Sequence, residues 1–118
     1  LGIRTRAAYL SGNKKAAKAL CTDYDAALER LDAFYAAYEQ QWMLDNKPHG
    51  FDVQDLRIGG QRQRLLHCRD RLLAYAEGRL DRIEELEEPV LDCCCEEKAD
   101  GQAIRAIFWH EIASANVI

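Results

Sequence analysis

The chain has 118 residues, 48% of them hydrophobic and 31% charged, with a formal net charge of −4. That length fits one domain, since single domains cluster near ~100–150 residues. A net negative charge with acids interleaved among the bases argues against nucleic acid or an anionic membrane as partner. No apolar run reaches the ~20 residues of a membrane span, and no signal peptide is visible.

Residues 3–10 read as a short helix that Gly12 is well placed to stop. From about Asn13 to Leu44 apolar residues recur at Leu20, Tyr24, Ala27, Leu28, Leu31, Phe34, Tyr35, Tyr38 and Trp42. Their three-and-four spacing marks one face of a long helix, with Asp25, Glu29, Arg30, Asp32 and Glu39 on its wet side. Such a helix needs packing partners to persist in water. Pro48 and Gly50 interrupt it, because the residue before a proline is pushed out of helical geometry.

A second helix is expected from Asp52, whose carboxylate is placed to cap it. Val53, Leu56, Leu65, Cys68, Leu72, Tyr75, Leu80, Ile83 and Leu86 trace its buried side, and Pro89 ends it. Gly59-Gly60 within it costs roughly 1 kcal/mol per glycine relative to alanine, which predicts close approach by another backbone or a kink. Residues 90–101 read as a connector. Ile104, Ile107, Phe108 and Ile112 predict a third helix over 102–113, laid across the seam of two antiparallel long ones. The expected fold is all-α, a helical bundle forming one domain over 1–118.

Five cysteines, an odd number, do not form a disulfide framework. Cys21 and Cys68 fall on apolar helical positions, where a thiol acts as a small hydrophobe. Cys93, Cys94 and Cys95 cannot all face one partner, and a reducing, cytoplasmic setting is expected. His49, His67 and His110 with these cysteines lack the paired spacing of a zinc site, so no metal or other cofactor is expected.

The segment Asp45-Asn46-Lys47-Pro48-His49-Gly50-Phe51-Asp52-Val53-Gln54-Asp55-Leu56-Arg57-Ile58-Gly59-Gly60 is too particular for a generic connector. With Tyr38 and Trp42 before it, the chain resembles the C-terminal helical region of bacterial family 20 glycoside hydrolases, the β-N-acetylhexosaminidases. Further blocks of the likeness are Leu1 to Arg6 with Tyr9, Gly12-Asn13-Lys14, Cys68-Arg69, Arg71-Leu72, Tyr75, Gly78, and Ile83 to Pro89. Trp109 to Ile118 is similar to the way such chains finish. The pattern departs at Gln61, where an apolar residue would suit it, and at Cys93–Cys95.

The resemblance implies a parent enzyme that removes terminal β-linked N-acetylhexosamine. In that family the substrate's acetamido oxygen is the nucleophile, and an adjacent Asp-Glu pair orients it and protonates the leaving oxygen. This chain has no Asp-Glu dipeptide and is too short for a (β/α)₈ barrel of about 250 residues. No catalytic residue is therefore expected here. A start at Leu1 suits an excised C-terminal piece. The implied partner is the catalytic barrel of the same polypeptide, with a homodimer as a further option and glycan contact only through the full-length enzyme. Trp42, Asp45, Asn46, Lys47, Pro48, Gly50, Asp52, Asp55, Arg57, Gly59 and Gly60 form the expected structural or interface signature.

Three other groupings carry weaker signals. Glu84, Glu85, Glu87 and Glu88 read as a solvated helix end, lacking the apolar pocket that raises a carboxyl pKa. Arg57, Arg64 and Arg71 recur every seven residues beside Arg62, Arg69, Arg79 and Arg82. They form either a solvated face balanced by Asp55, Asp70, Asp81 and the glutamates, or a row that docks carboxylates of the barrel. The aromatic row Tyr24, Phe34, Tyr35, Tyr38 and Trp42 reads mostly as core rather than a sugar platform, with Trp42 facing a missing neighbour. The competing function is a stand-alone helical module that pairs with partner helices.

Overall fold

The computed structural model describes residues 1–88, and they form four helices in chain order with no strand among them. The expected connector over 90–101, the third helix over 102–113, the Cys93–Cys95 run and the closing block lie outside the described residues.

α1 spans Gly2–Leu10. Gly12 ends it with φ 67, a left-handed conformation that costs glycine nothing. The N–H groups of Gly12 and Asn13 then turn back to the carbonyls of Tyr9 and Ala8 at 2.9 and 3.1 Å. Asn13 starts α2 (Lys14–Asp45) by accepting the Ala16 N–H on its side-chain oxygen at 2.9 Å, which satisfies one of the orphan donors of the first turn. At 1.5 Å per residue α2 is about 48 Å long. α3 covers Phe51–Ala76.

The two long helices run antiparallel, as three contacts at matched register show. Tyr35 meets Asp55, Asp32 meets Arg62 and Asp25 meets Arg69, each pair summing to nearly the same number. The core sits away from the elbow that joins them. Tyr9 of α1, Leu20, Cys21, Tyr24 and Leu28 of α2, Leu65 and Leu72 of α3, and Ile83 close around one another there. Thr5 is buried among them, its hydroxyl 2.9 Å from that of Tyr24, so neither polar group is left without a partner.

The second helix is shorter than its periodicity implies. It stops at Ala76 rather than Pro89, because Gly78 takes φ 75 and the N–H groups of Arg79 and Leu80 both return to the Ala74 carbonyl. The chain then folds back, and a single turn, α4 (Glu84–Glu87), packs on α1. Leu80, Ile83 and Leu86 still reach the core. A repeat of apolar residues marks who joins the core, and it cannot distinguish a continuing helix from a reversal onto the same core.

Tyr9 fastens the reversal. Its hydroxyl accepts the Ile83 N–H at 3.0 Å and donates to Glu87 Oε1 at 2.5 Å. Arg6 adds a bond to the Glu88 carbonyl at 2.6 Å.

Val53 and Leu56, expected on the buried side, are instead 44% and 77% exposed. Gly59 and Gly60 meet no backbone: a methyl group added to either would find nothing within 4 Å. The close approach expected at these glycines does not occur among the described residues.

Candidate functional site

The elbow from Trp42 to Asp55 is built around Phe51, which belongs to the Asp45–Gly60 segment but not to the residues expected as its structural or interface signature. It is 4% exposed, and its ring centroid lies 5.9, 5.8 and 5.7 Å from those of Tyr35, Tyr38 and Trp42. Tilted aromatic pairs at such separations add to the energy of burial itself. The available signal was position: an aromatic directly after Gly50, where α3 begins, folds under the end of α2.

Backbone geometry delivers Phe51 to that place. Asn46 leaves α2 in an extended conformation, its N–H still bonded to the Trp42 carbonyl at 2.8 Å. The Trp42 indole N–H donates to the Lys47 carbonyl at 2.9 Å, so the loop is held by Lys47's backbone. Pro48 offers its carbonyl to the Phe51 N–H at 3.2 Å. Gly50 then turns the chain with φ 97, its Cα facing the Trp42 ring. A side chain there would strain the turn.

Asp52 was expected to cap the second helix, but the cap position falls on Gly50, with no side-chain bond. Asp52 lies in the first turn of α3, where a carboxylate suits the positive end of the helix dipole. Asp45 accepts a bond from the Gln41 side chain one turn earlier. Asp55 accepts from the Tyr35 hydroxyl at 2.6 Å. That bond stabilises the neutral phenol, and the Tyr35 pKa is pushed up to about 12.

The arginines divide sharply. Arg62 pairs with Asp32 at 2.7 Å, Arg64 with Glu85 at 2.9 Å and Arg71 with Glu84 at 3.0 Å. Arg69 joins Asp25 and Asp70, each at 2.7 Å. Arg79 takes Glu77 at 2.6 Å, and Arg82 grips Glu87. Arg57 is exposed and has no acid against it among the described residues. Asp55 is engaged by Tyr35 rather than by an arginine.

Glu84, Glu85 and Glu87, expected as a solvated end, are thus exposed but paired. Their arginines hold the carboxyls of Glu85 and Glu87 below the usual range through hydrogen bonds, as Arg62 does for Asp32. These shifts run opposite to what a general acid needs, a proton kept near neutral pH.

A concave space of about 360 Å³ opens between α1, α3 and α4, lined by Thr5, Tyr24, Cys68, Arg71, Leu72 and Leu86. Burial pushes the Cys68 thiol up, away from the thiolate that a nucleophile requires. No three metal-ligating side chains converge among the described residues. No helix there is long and apolar enough to cross a membrane. The aromatic row splits as well, since Tyr24 is core, Tyr38 and Trp42 are half-buried, and Phe34 stands out in solvent, stacked on Tyr38 at 5.5 Å.

Residues 1–105 match the family model described as the Glycoside Hydrolase 20C C-terminal domain. No curated protein and no solved structure matches the chain.

Proposed function

The chain belongs to the family of glycoside hydrolase 20C C-terminal domains, and from that premise we propose that it is the non-catalytic helical domain of a β-N-acetylhexosaminidase. The family match over residues 1–105 carries the reading. The chemistry of the chain supports the non-catalytic part. It has no Asp-Glu dipeptide, and the shifted carboxyls among the described residues are all lowered. The acid that protonates the leaving oxygen would come from the barrel of the same polypeptide.

In this reading the domain braces that barrel and influences the glycan only through it. The aromatic packing of Phe51 at the elbow and the ion pairs that join α2 to α3 suit such a role, because they set the two long helices side by side. The test compares three proteins on a chromogenic N-acetylglucosaminide: the full-length polypeptide, the same polypeptide without this domain, and the 118-residue chain. The first turns over, the second loses stability or substrate affinity, and the third is inactive. Turnover by the purified 118-residue chain would overturn the non-catalytic assignment.

The exposure of Phe34, Leu44 and Leu56 favours one other reading, a free-standing module that pairs with partner helices. A family 20 barrel encoded in the same reading frame decides against it.

A further inference from the structure

The cleft of about 360 Å³ between α1, α3 and α4 has an apolar wall formed by Leu65, Leu72, Ile83 and Leu86. Its polar groups are donors short of acceptors. Arg71 gives one terminal nitrogen to Glu84 at 3.0 Å, but its Nε is buried and finds no acceptor among the described residues. Thr5 and Tyr24 share a single bond at 2.9 Å, which uses one hydroxyl proton and leaves the other to spare. A buried donor without an acceptor is costly. The cleft therefore suits an apolar group that also brings an acceptor oxygen.

The described chain ends at the rim of this cleft. Glu85 and Leu86 line it, and so does Arg6, which holds the Glu88 carbonyl at 2.6 Å. Glu88 is extended, with φ −61 and ψ 141, as the residue before a proline is biased to be. Next come Pro89, Val90, Leu91 and Asp92, two apolar side chains and then a carboxylate. At ~3.3–3.6 Å per residue, the Leu91 backbone can stand no more than about 11 Å from that of Glu88.

Charge points the same way. Asp92, Glu96, Glu97 and Asp100 follow with Lys98 as the one base among them, while Arg6, Arg64 and Arg71 edge the cleft. The family match runs on to residue 105, so this stretch belongs to the same domain. A segment tethered at the rim also competes at a high effective concentration, which a second copy or a separate partner lacks.

We infer that Val90, Leu91 and Asp92 fill this cleft, the two apolar side chains against Leu65, Leu72 and Leu86 and the Asp92 carboxylate accepting from Arg71. The cleft is then the seat of the chain's own next residues rather than a pocket for a foreign ligand. Cys68, which lines it, is covered, and Cys93 follows the seated residues directly.

Cys68 supplies the reporter. Iodoacetamide labelling of the 118-residue chain, at one fixed and mildly alkaline pH, is followed by peptide mapping. Leu91→Asp speeds labelling of Cys68 by about tenfold, the cover having been opened locally. Cys21, buried in the core, keeps its rate and reports that the fold is intact. Ile107→Asp leaves both rates unchanged. If neither variant changes the Cys68 rate, or if Ile107→Asp changes it as much as Leu91→Asp does, residues 90–92 are not the cover and the inference falls. A parent rate at Cys68 that slows with chain concentration assigns the cover to a second copy and also overturns it.

Oxidation of the unmodified chain with diamide needs no variant, and it decides the matter where Leu91→Asp exposes Cys21 as well. A disulfide within one chain between Cys68 and one of Cys93, Cys94 and Cys95 is the expected product. Recovery of Cys68 as the free thiol, while those three join one another, refutes the placement.

Discussion

The Tyr35 hydroxyl donates to the Asp55 carboxylate across 2.6 Å, tying the end of α2 to the start of α3. The bond exists only while the phenol keeps its proton. Tyr35 should therefore ionise near pH 12 rather than at the ordinary value of 10.0. Because the folded pKa is the raised one, the stabilisation is fully present below pH ~10 and vanishes as pH climbs through about 12. Alkaline ultraviolet titration of Asp55→Asn should show one tyrosine returning to the lower range. An unchanged titration curve would mean that the bond does not form in solution.

Phe51→Ala should destabilise the 118-residue chain by about 3 kcal/mol, in the range for emptying a buried aromatic site. Leu56→Ala, at 77% exposure, should change stability by no more than ~0.5 kcal/mol. Urea unfolding of the two variants side by side measures the contrast, and equal effects would contradict the elbow packing described above.

Gly50→Ala should cost about 1–2 kcal/mol, because φ 97 is forced on the residue by the turn and alanine enters that region at a penalty. Gly59→Ala, in ordinary helical geometry, should have the opposite sign. Chemical denaturation of the pair isolates backbone strain from the loss of any contact, since neither residue has a side chain to remove.

Acid should loosen α4 before the core. Glu87 is held down in pKa by Arg82 and then by Tyr9, and Glu85 by Arg64. With folded values below the unfolded ones, their contribution is present above pH ~4.3 and is lost as pH falls through the depressed values. The protection of the Ile83 amide, which Tyr9 caps, against hydrogen exchange relative to an unfolded amide at the same pH should fall over that window in the parent chain. In Glu87→Gln it should already be lower at neutral pH.

Much of the architecture was legible because the signals were local. Asn13 at the start of α2 and the apolar series from Leu20 to Trp42 are readable from helix geometry alone. The all-α bundle and the glycosidase family likeness follow from those runs and from the Asp45–Gly60 segment. What could not be read was tertiary. Gly78 falls inside the apolar series expected to run as one helix to Pro89, and its left-handed turn with the return of Ile83 to the core is a feature of the folded chain alone. Asp52 looked like a cap because its type is right, yet the left-handed turn at Gly50 moves the helix start ahead of it. Phe51 was read as part of a motif rather than as its keystone, since burial depends on where Tyr35, Tyr38 and Trp42 point. The arginine heptad offered two readings, and distances assigned Arg64 and Arg71 to internal pairs.

The spacing of the two fastenings along the chain sets an order in time. The ring contact of Trp42 with Phe51 closes a very short loop, whereas the clasp of Tyr9 on Glu87 spans 78 residues. Loop-closure entropy grows with the logarithm of length, so the clasp costs roughly 2 kcal/mol more to reach from the open chain. The elbow should therefore nucleate the α2–α3 hairpin, with α1 and α4 locking afterwards. In stopped-flow experiments Phe51→Ala should slow refolding, while Tyr9→Phe should act mainly by speeding unfolding. A transition state that forms first at one end of the hairpin would let the elbow fold before the other end of the domain is complete.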